Sequence, residues 1–205
     1  MTPKEVIQKA LKESFEDDQG NTYRLQLNPG LTETELENLS DHLFGRPLPS
    51  DARELLTFTS RFTVPQLGQI DFRGNDAFEF ADLLPGGVPL AGDGCGNFWV
   101  LDVRADTGKW GPVFFASHDP PVIVVQAPHL AAFLDQVLDL GRPNRENMLR
   151  YVIEEATSRL SAKNPHALDV EDASRSPGDL LSSFAKQLAD NFWVADLRAL
   201  ERFGV

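Results

Sequence analysis

Cys95 is the only cysteine in the chain, and it lies in GDGCGNFWVLDV (92–103), flanked by Gly94 and Gly96, with Asp93 before them and Asn97 after. Four chemistries could use such a stretch: a thiolate nucleophile, a metal loop, a phosphate cradle, or a tight turn feeding a strand. A nucleophilic cysteine needs a base nearby and surroundings that favour thiolate. The histidines are His42, His118, His129 and His166, and none stands with Cys95 in a cysteine-protease signature. Asp93, Asn97 and Asp102 offer oxygen ligands, but their spacing lacks the alternating Asp/Asn ladder and distal glutamate of a calcium loop. A paired Cys/His set for zinc is absent from the sequence. Gly92, Gly94 and Gly96 precede a strand pattern, whereas a dinucleotide or P-loop cradle opens a helix.

The turn remains. Gly94 and Gly96 can take positive φ, and the Asp93 and Asn97 side chains can bond nearby backbone groups. The loop then joins VPLA to FWVLDV, with Phe98, Val100 and Asp102 on one strand face and Asn97, Trp99 and Leu101 on the other. Apolar residues on both faces predict a central strand covered by helices on at least one side. Trp99 and Trp110 read either as core aromatics or as anchors of a recognition surface. His118-Asp119-Pro120-Pro121 reads as a turn.

The elements that carry this loop follow from hydrophobic period and punctuation. KEVIQKALKESF (4–15) has helical spacing, Asp17–Asn21 is a turn, and Tyr23, Leu25 and Leu27 alternate as in a strand. Thr32 with Glu35 forms a capping box for a helix bearing Leu36, Leu39 and Leu43, which Gly45 closes. Arg46–Pro49 is a rigid connector, and Ser50 reads as the N-cap of a helix carrying Ala52, Leu55, Leu56 and Thr59. Short apolar runs follow at 70–72, 78–80, 88–91, 97–103, 112–116 and 122–125, separated by turn residues, which predicts an antiparallel meander. Helical period returns with Leu130, Phe133, Leu134, Val137 and Leu138. After Gly141–Asn144, which reads as a boundary, Leu149, Ile153, Ala156 and Leu160 form an apolar stripe and 164–177 reads as a loop. Ser176 and Asp179 cap a helix with Leu181, Phe184 and Leu188, and Trp193, Leu197, Leu200 and Phe203 suggest a last helix.

Composition narrows the function. The 205 residues hold 31 acidic and 19 basic side chains, a net charge of -12, which repels phosphate backbones and favours a basic partner. No apolar run approaches the length of a membrane span. The N-terminal stretch lacks a signal-peptide core, and a single cysteine forms no internal disulfide, so the expected location is the cytoplasm. Glu33, Glu35, Glu37 and Asp41 read as a solvated helix face, Glu16–Asp18 as a turn and Glu154–Glu155 as a solvated patch, and a basic partner would be steered to these clusters.

The order of these pieces resembles the SUKH superfamily, the Smi and Knr-like proteins. GLTETELENLSDHLFGRPLPSDARELLTF resembles the family's opening helix pair with its "lP-x-d" connector. VPLAGDGCGNFWVLDV is similar to its "ipia-D-G-x-GN" turn and aromatic strand, GPVFFASHDPP to the next strand and turn, and PHLAAFLDQVL to the closing "sF-eeFL" helix. The resemblance spans about 30–140. It departs at TSRFTVP, where an Asn-Gly or Gly-Gly turn is usual, and at Pro128-His129, where Ser-Phe is commoner; the tail from 141 has no counterpart. The resemblance implies a non-catalytic α+β module; many bacterial members look like immunity proteins against a cognate toxin, often a nuclease, and fungal members resemble regulators of cell-wall synthesis.

The expectation is an α+β domain over 1–141, with an antiparallel or mixed sheet flanked by helices, and an all-helical extension over 142–205 that docks on it or mediates a homodimer. The expected function is a protein-binding module, an immunity protein whose partner is a basic toxin domain, without cofactor, metal, nucleic acid or membrane. The candidate partner-binding residues are Asp93, Gly94, Gly96, Asn97, Trp99, Trp110, His118 and Asp119. Two alternatives are a small-molecule-binding regulatory module and a hydrolase using Cys95.

Overall fold

The computed structural model describes residues 1–43, 45–74, 87–104, 106–118, 121–143, 147–151, 167–177, 182–183, 185–186, 188 and 193–195. The first helix, α1 (Pro3–Ala10), starts at a capping box made by Thr2 and Glu5 and buries Val6, Ile7 and Ala10. It stops before Phe15, which belongs to a short hairpin of β1 (Phe15–Glu16) and β2 (Thr22–Tyr23) around the Asp17 turn. The run from Tyr23 to Leu27 is therefore not one strand. Its second half, β3 (Gln26–Leu27), joins a different sheet with β4 (Arg61–Val64) and β5 (Gly68–Asp71).

Helix α2 (Glu33–His42) begins at the Thr32/Glu35 capping box, and Gly45 follows it with φ +59. Helix α3 (Ser50–Phe58) corrects one expectation: Pro49, not Ser50, is the N-cap, and no side chain caps the helix. Pro49 is extended at ψ 150, and its carbonyl accepts the first helical bond from the Arg53 N–H.

The main sheet is a meander of β6 (Gly87–Gly92), β7 (Phe98–Val103), β8 (Trp110–His118) and β9 (Pro121–Ala127), each antiparallel to the next. Helix α4 (Leu130–Asp139) returns across one face and is capped by His129, whose Nδ1 accepts from the Ala132 N–H. On that face Trp99, Leu101, Val113, Phe115, Val122 and Val124 join α1, α2, α3 and α4 in one core. The apolar run 78–80 lies outside the described residues.

The tail is where expectation and structure part. A short helix α5 (Met148–Tyr151) places Leu149 in the main core. The span read as a loop, 164–177, contains β10 (Ala167–Asp169) and helix α6 (Val170–Ser174), the latter capped by Asp169. Trp193 opens a strand, β11 (Trp193–Ala195), not a helix. The extension is thus not all helical: β11 pairs parallel with β9, and β10 pairs antiparallel with β11, giving the sheet order β10-β11-β9-β8-β7-β6. The physical reason is the alternation of β7–β9. Phe98, Val100, Phe114, Ala116, Ile123 and Val125 point away from α4, and Val170, Ala173, Ala185, Leu188 and Val194 of the tail cover them. Ile153, Ala156, Leu160, Asp179, Leu181, Phe184, Leu197, Leu200 and Phe203, which carried the remaining helical expectations, lie outside the described residues. No described helix is long and apolar enough to cross a membrane.

Candidate partner-binding surface

The loop between β6 and β7 is built around one carboxylate. Asp93 Oδ1 accepts from the Cys95 N–H at 2.7 Å and the Asn97 N–H at 3.1 Å, and its Oδ2 accepts from Asn97 Nδ2 at 2.7 Å. The Asp93 N–H closes the loop by donating to the Asn97 carbonyl at 3.0 Å. Gly94 and Gly96 sit at φ +82 and +90, where a side chain would be strained. The loop is rigid for reasons internal to it. Its tip, Gly94-Cys95-Gly96, is exposed, so backbone and one thiol face outward.

Strand pairing decides which other candidates share this end of the sheet. Phe98 opens β7 opposite Ala116, and His118 pairs with Pro121 at the β8–β9 turn. The Asp93–Asn97 loop and His118 therefore lie at the same end. Asp119 lies outside the described residues. Trp110 does not join them: it pairs with Val103, at the far end of β7, about 17 Å along the strand. Its indole is half-buried and packed beside the core, and among the described residues its Nε1 has no hydrogen-bond partner.

Trp99 is corrected as a surface contact. Its side chain is fully buried, with ring centroids 4.9 Å from Phe115 and 6.3 Å from Phe133 in tilted arrangements. Its Nε1–H donates to Gln126 Oε1 at 3.1 Å, and Gln126 Nε2 donates to Gln136 Oε1 at 2.8 Å. This buried chain locks β7, β9 and α4 together behind the loop. Gln126 was missed at the level of sequence, although a lone polar residue closing the run VIVVQA was its signal.

Asp102 sits on the tail-covered face of β7, opposite Gly111, where a Cβ would stand 3.3 Å from its carboxylate. Burial pushes its pKa up to about 6, with Arg104 pulling the other way. The folded state then holds the proton more tightly than the unfolded chain, so stability falls as pH rises from about 4 to 6 and stays reduced above that. Asp102→Asn should therefore raise stability at pH 8 by on the order of 1–3 kcal/mol and change little below pH 4. Thermal melts at the two pH values check this; an equal effect at both would disprove the burial cost.

Among the described residues no group of three or more His, Cys, Asp or Glu could hold a metal. His129 spends its Nδ1 on the α4 cap, and His166 lies outside the described residues. Glu33, Glu35, Glu37 and Asp41 line the exposed side of α2. Glu35 is held below the usual carboxylate range by the Thr32 N–H and hydroxyl, while Glu33 pairs with Arg53. Among the described residues, Lys4, Ser50, Arg53, Glu54, Thr57 and Phe58 line a groove of about 590 Å³ between α1 and α3. Its charged groups already pair, Lys4 with Glu54 at 3.7 Å and Arg53 with Glu33, which leaves little to orient a ligand.

Comparison with known proteins bears on this fold and its loop. The model of the SMI1 / KNR4 family (SUKH-1) matches residues 30–136, from the turn before α2 into α4, which is just over half of the chain. The Asp93–Asn97 loop lies inside the match and the tail lies beyond it. No curated protein matches the chain.

Proposed function

Because this chain belongs to the SMI1 / KNR4 family (SUKH-1), we propose that it is a non-catalytic protein-binding module, an immunity protein that neutralises a basic toxin domain. The observation that carries the reading is the Asp93–Asn97 loop. The Asp93 carboxylate holds the Cys95 and Asn97 amides within the loop, so it presents a preformed, exposed tip that loses little entropy on binding. The net charge of -12 supplies long-range attraction for a basic partner and steers its approach. The backbone of His118 stands at the same end of the sheet.

Asp93→Ala tests the reading. It removes three hydrogen bonds from a surface loop, so the fold should lose only about 1 kcal/mol while partner affinity falls tenfold or more. The measurement is capture of a partner on immobilised wild-type and variant chains, each at low and high salt. A basic protein held by the wild type, released by salt and lost with the variant supports the proposal. Capture that ignores both salt and the substitution rules out this loop and acidic steering together.

A further inference from the structure

Among the described residues, only Met1 and Trp193 are large apolar side chains left exposed. Trp193 belongs to β11, a strand paired with β9 on one side and β10 on the other, yet 37% of its surface is open to solvent. Its neighbour Val194 turns into the core on the tail-covered face, so the alternation of the strand puts the Trp193 indole on the opposite face. An indole left in water forgoes one of the largest burial gains a side chain offers. An aromatic side chain held exposed on a paired strand is a favoured anchor of protein interfaces, because it brings much area with few rotors to freeze.

Strand register fixes where this indole stands. Phe98, Ala116, Ile123, Val194 and Leu168 pair in turn across β7, β8, β9, β11 and β10 and form one row. Strand β11 runs in the direction of β7 and β9, so Asn97 and Trp193 each stand one residue beyond that row on the same side. Three strand spacings separate them, about 14 Å. The exposed loop and the exposed indole thus share one end of the sheet, well inside a standard interface of about 800 Å² per partner. Asp169, which pairs directly with Trp193, stands at this end too, and α6 follows it with Glu171 and Asp172 exposed. Arg175 pairs with Glu171 and Asp172, so three carboxylates there face one guanidinium.

We propose that Trp193 is a second anchor of the partner surface, over whose indole an arginine or lysine side chain of the basic partner lies. The inference rests on the reading of the partner as basic. The ring face attracts a cation, and the neighbouring carboxylates favour the same charge. The family match ends at residue 136, so this anchor belongs to a part of the chain outside the family pattern and gives the protein a partner preference of its own.

Calorimetric titration of the full-length chain with an end-blocked nona-arginine peptide at low salt tests this. Trp193→Leu removes the ring and leaves every charge in place, and it is expected to weaken binding by about fivefold. Trp193→Phe is expected to retain most of the affinity. Asp169→Asn keeps the cap of α6, and should weaken binding by about twofold and flatten its salt dependence. In the wild type, bound peptide should shield the exposed tryptophan from acrylamide, while Trp99 is buried throughout. Equal affinity for wild type and Trp193→Leu, or a tryptophan that stays equally open to acrylamide with peptide bound, would overturn the proposal. Should Trp193→Leu lose the near-ultraviolet signal of Trp99, Trp193→Phe and the wild-type quenching decide. Asp93→Ala separates this inference from the reading it rests on. Partner capture lost in Asp93→Ala, with peptide binding unchanged in Trp193→Leu, leaves the loop as the surface and removes Trp193 from it. Peptide binding lost in Trp193→Leu, with capture indifferent to Asp93, keeps Trp193 as the cation site and removes the loop.

Discussion

Gly30→Ala is expected to destabilise the protein by about 3 kcal/mol or more and to lower its melting temperature by about 10 °C. An added Cβ at this position would stand 1.8 Å from the Thr57 carbonyl oxygen and 3.0 Å from that of Leu56. Both are backbone atoms at the end of α3, so no rotamer change relieves the clash. Nor can the loop back away. The Leu31 N–H donates to the Leu56 carbonyl at 2.8 Å, the Asn28 N–H to the Arg61 carbonyl at 3.0 Å, and the Ser60 N–H and hydroxyl both donate to the Pro29 carbonyl. Thr59 Oγ1, fully buried, donates at 2.8 Å to the Asn28 carbonyl. Separating 28–31 from 56–61 breaks these bonds together and leaves buried carbonyls without partners. Denaturant titration measures the loss. Gly20→Ala is the control, since Gly20 also breaks regular structure but has open space around it and only the strain of φ +78 to bear. Equal losses at the two positions would show that backbone conformation, not the approach to α3, dominates at Gly30.

Arg142→Met is the second large effect, with an expected loss of about 3 kcal/mol at neutral pH. The Arg142 guanidinium is nearly buried, with Nε donating to Glu13 at 2.9 Å and Nη1 donating to Asp135 at 2.8 Å and Asp139 at 2.7 Å. Burial opposes its charge, yet Asp135, Asp139 and Glu13 outweigh that and raise its pKa above the ordinary arginine value. The same group stands 6.0 Å from the centroid of Phe15, tying the β1–β2 hairpin to the end of α4. Methionine keeps the apolar stem and removes the cation, leaving three carboxylates facing one another. The residual repulsion is electrostatic, so high salt should recover part of the loss. Arg175→Met is the comparison, because Arg175 and its partners Glu171 and Asp172 are exposed and such pairs contribute little. A loss at Arg142 no larger than at Arg175 would show that the cluster is as well solvated as the surface pair.

Local features of the fold were legible where short-range chemistry is sufficient. The Thr32–Glu35 spacing, the meander from Val88 to Val125 and the alternation along FWVLDV each stand in the structure as their residues require. The loop at Asp93–Asn97 was legible for the same reason, since an Asx turn with two glycines satisfies itself within five residues. Ser50 was misplaced by one position because no side-chain bond marks this helix start, and a helix boundary without one is set only by the backbone. Trp193 was misassigned for a deeper reason. Three residues have no period of their own, and Trp193–Ala195 is extended because it pairs with β9 on one side and β10 on the other.

The amino-acid sequence by itself determined the Asp93–Asn97 turn, the Thr32–Glu35 capping box, the faces of β7 and the acidic charge, because each depends on residues within a few positions of one another. Only the tertiary structure decided that Trp99 is core, that Trp110 stands at the opposite end of β7 from the loop, and that Arg142 gathers carboxylates from α4 and from the bend after α1. Only it decided that the tail adds strands to the sheet. Those outcomes rest on contacts between residues far apart in the chain, whose energies come from burial and pairing that no local pattern contains.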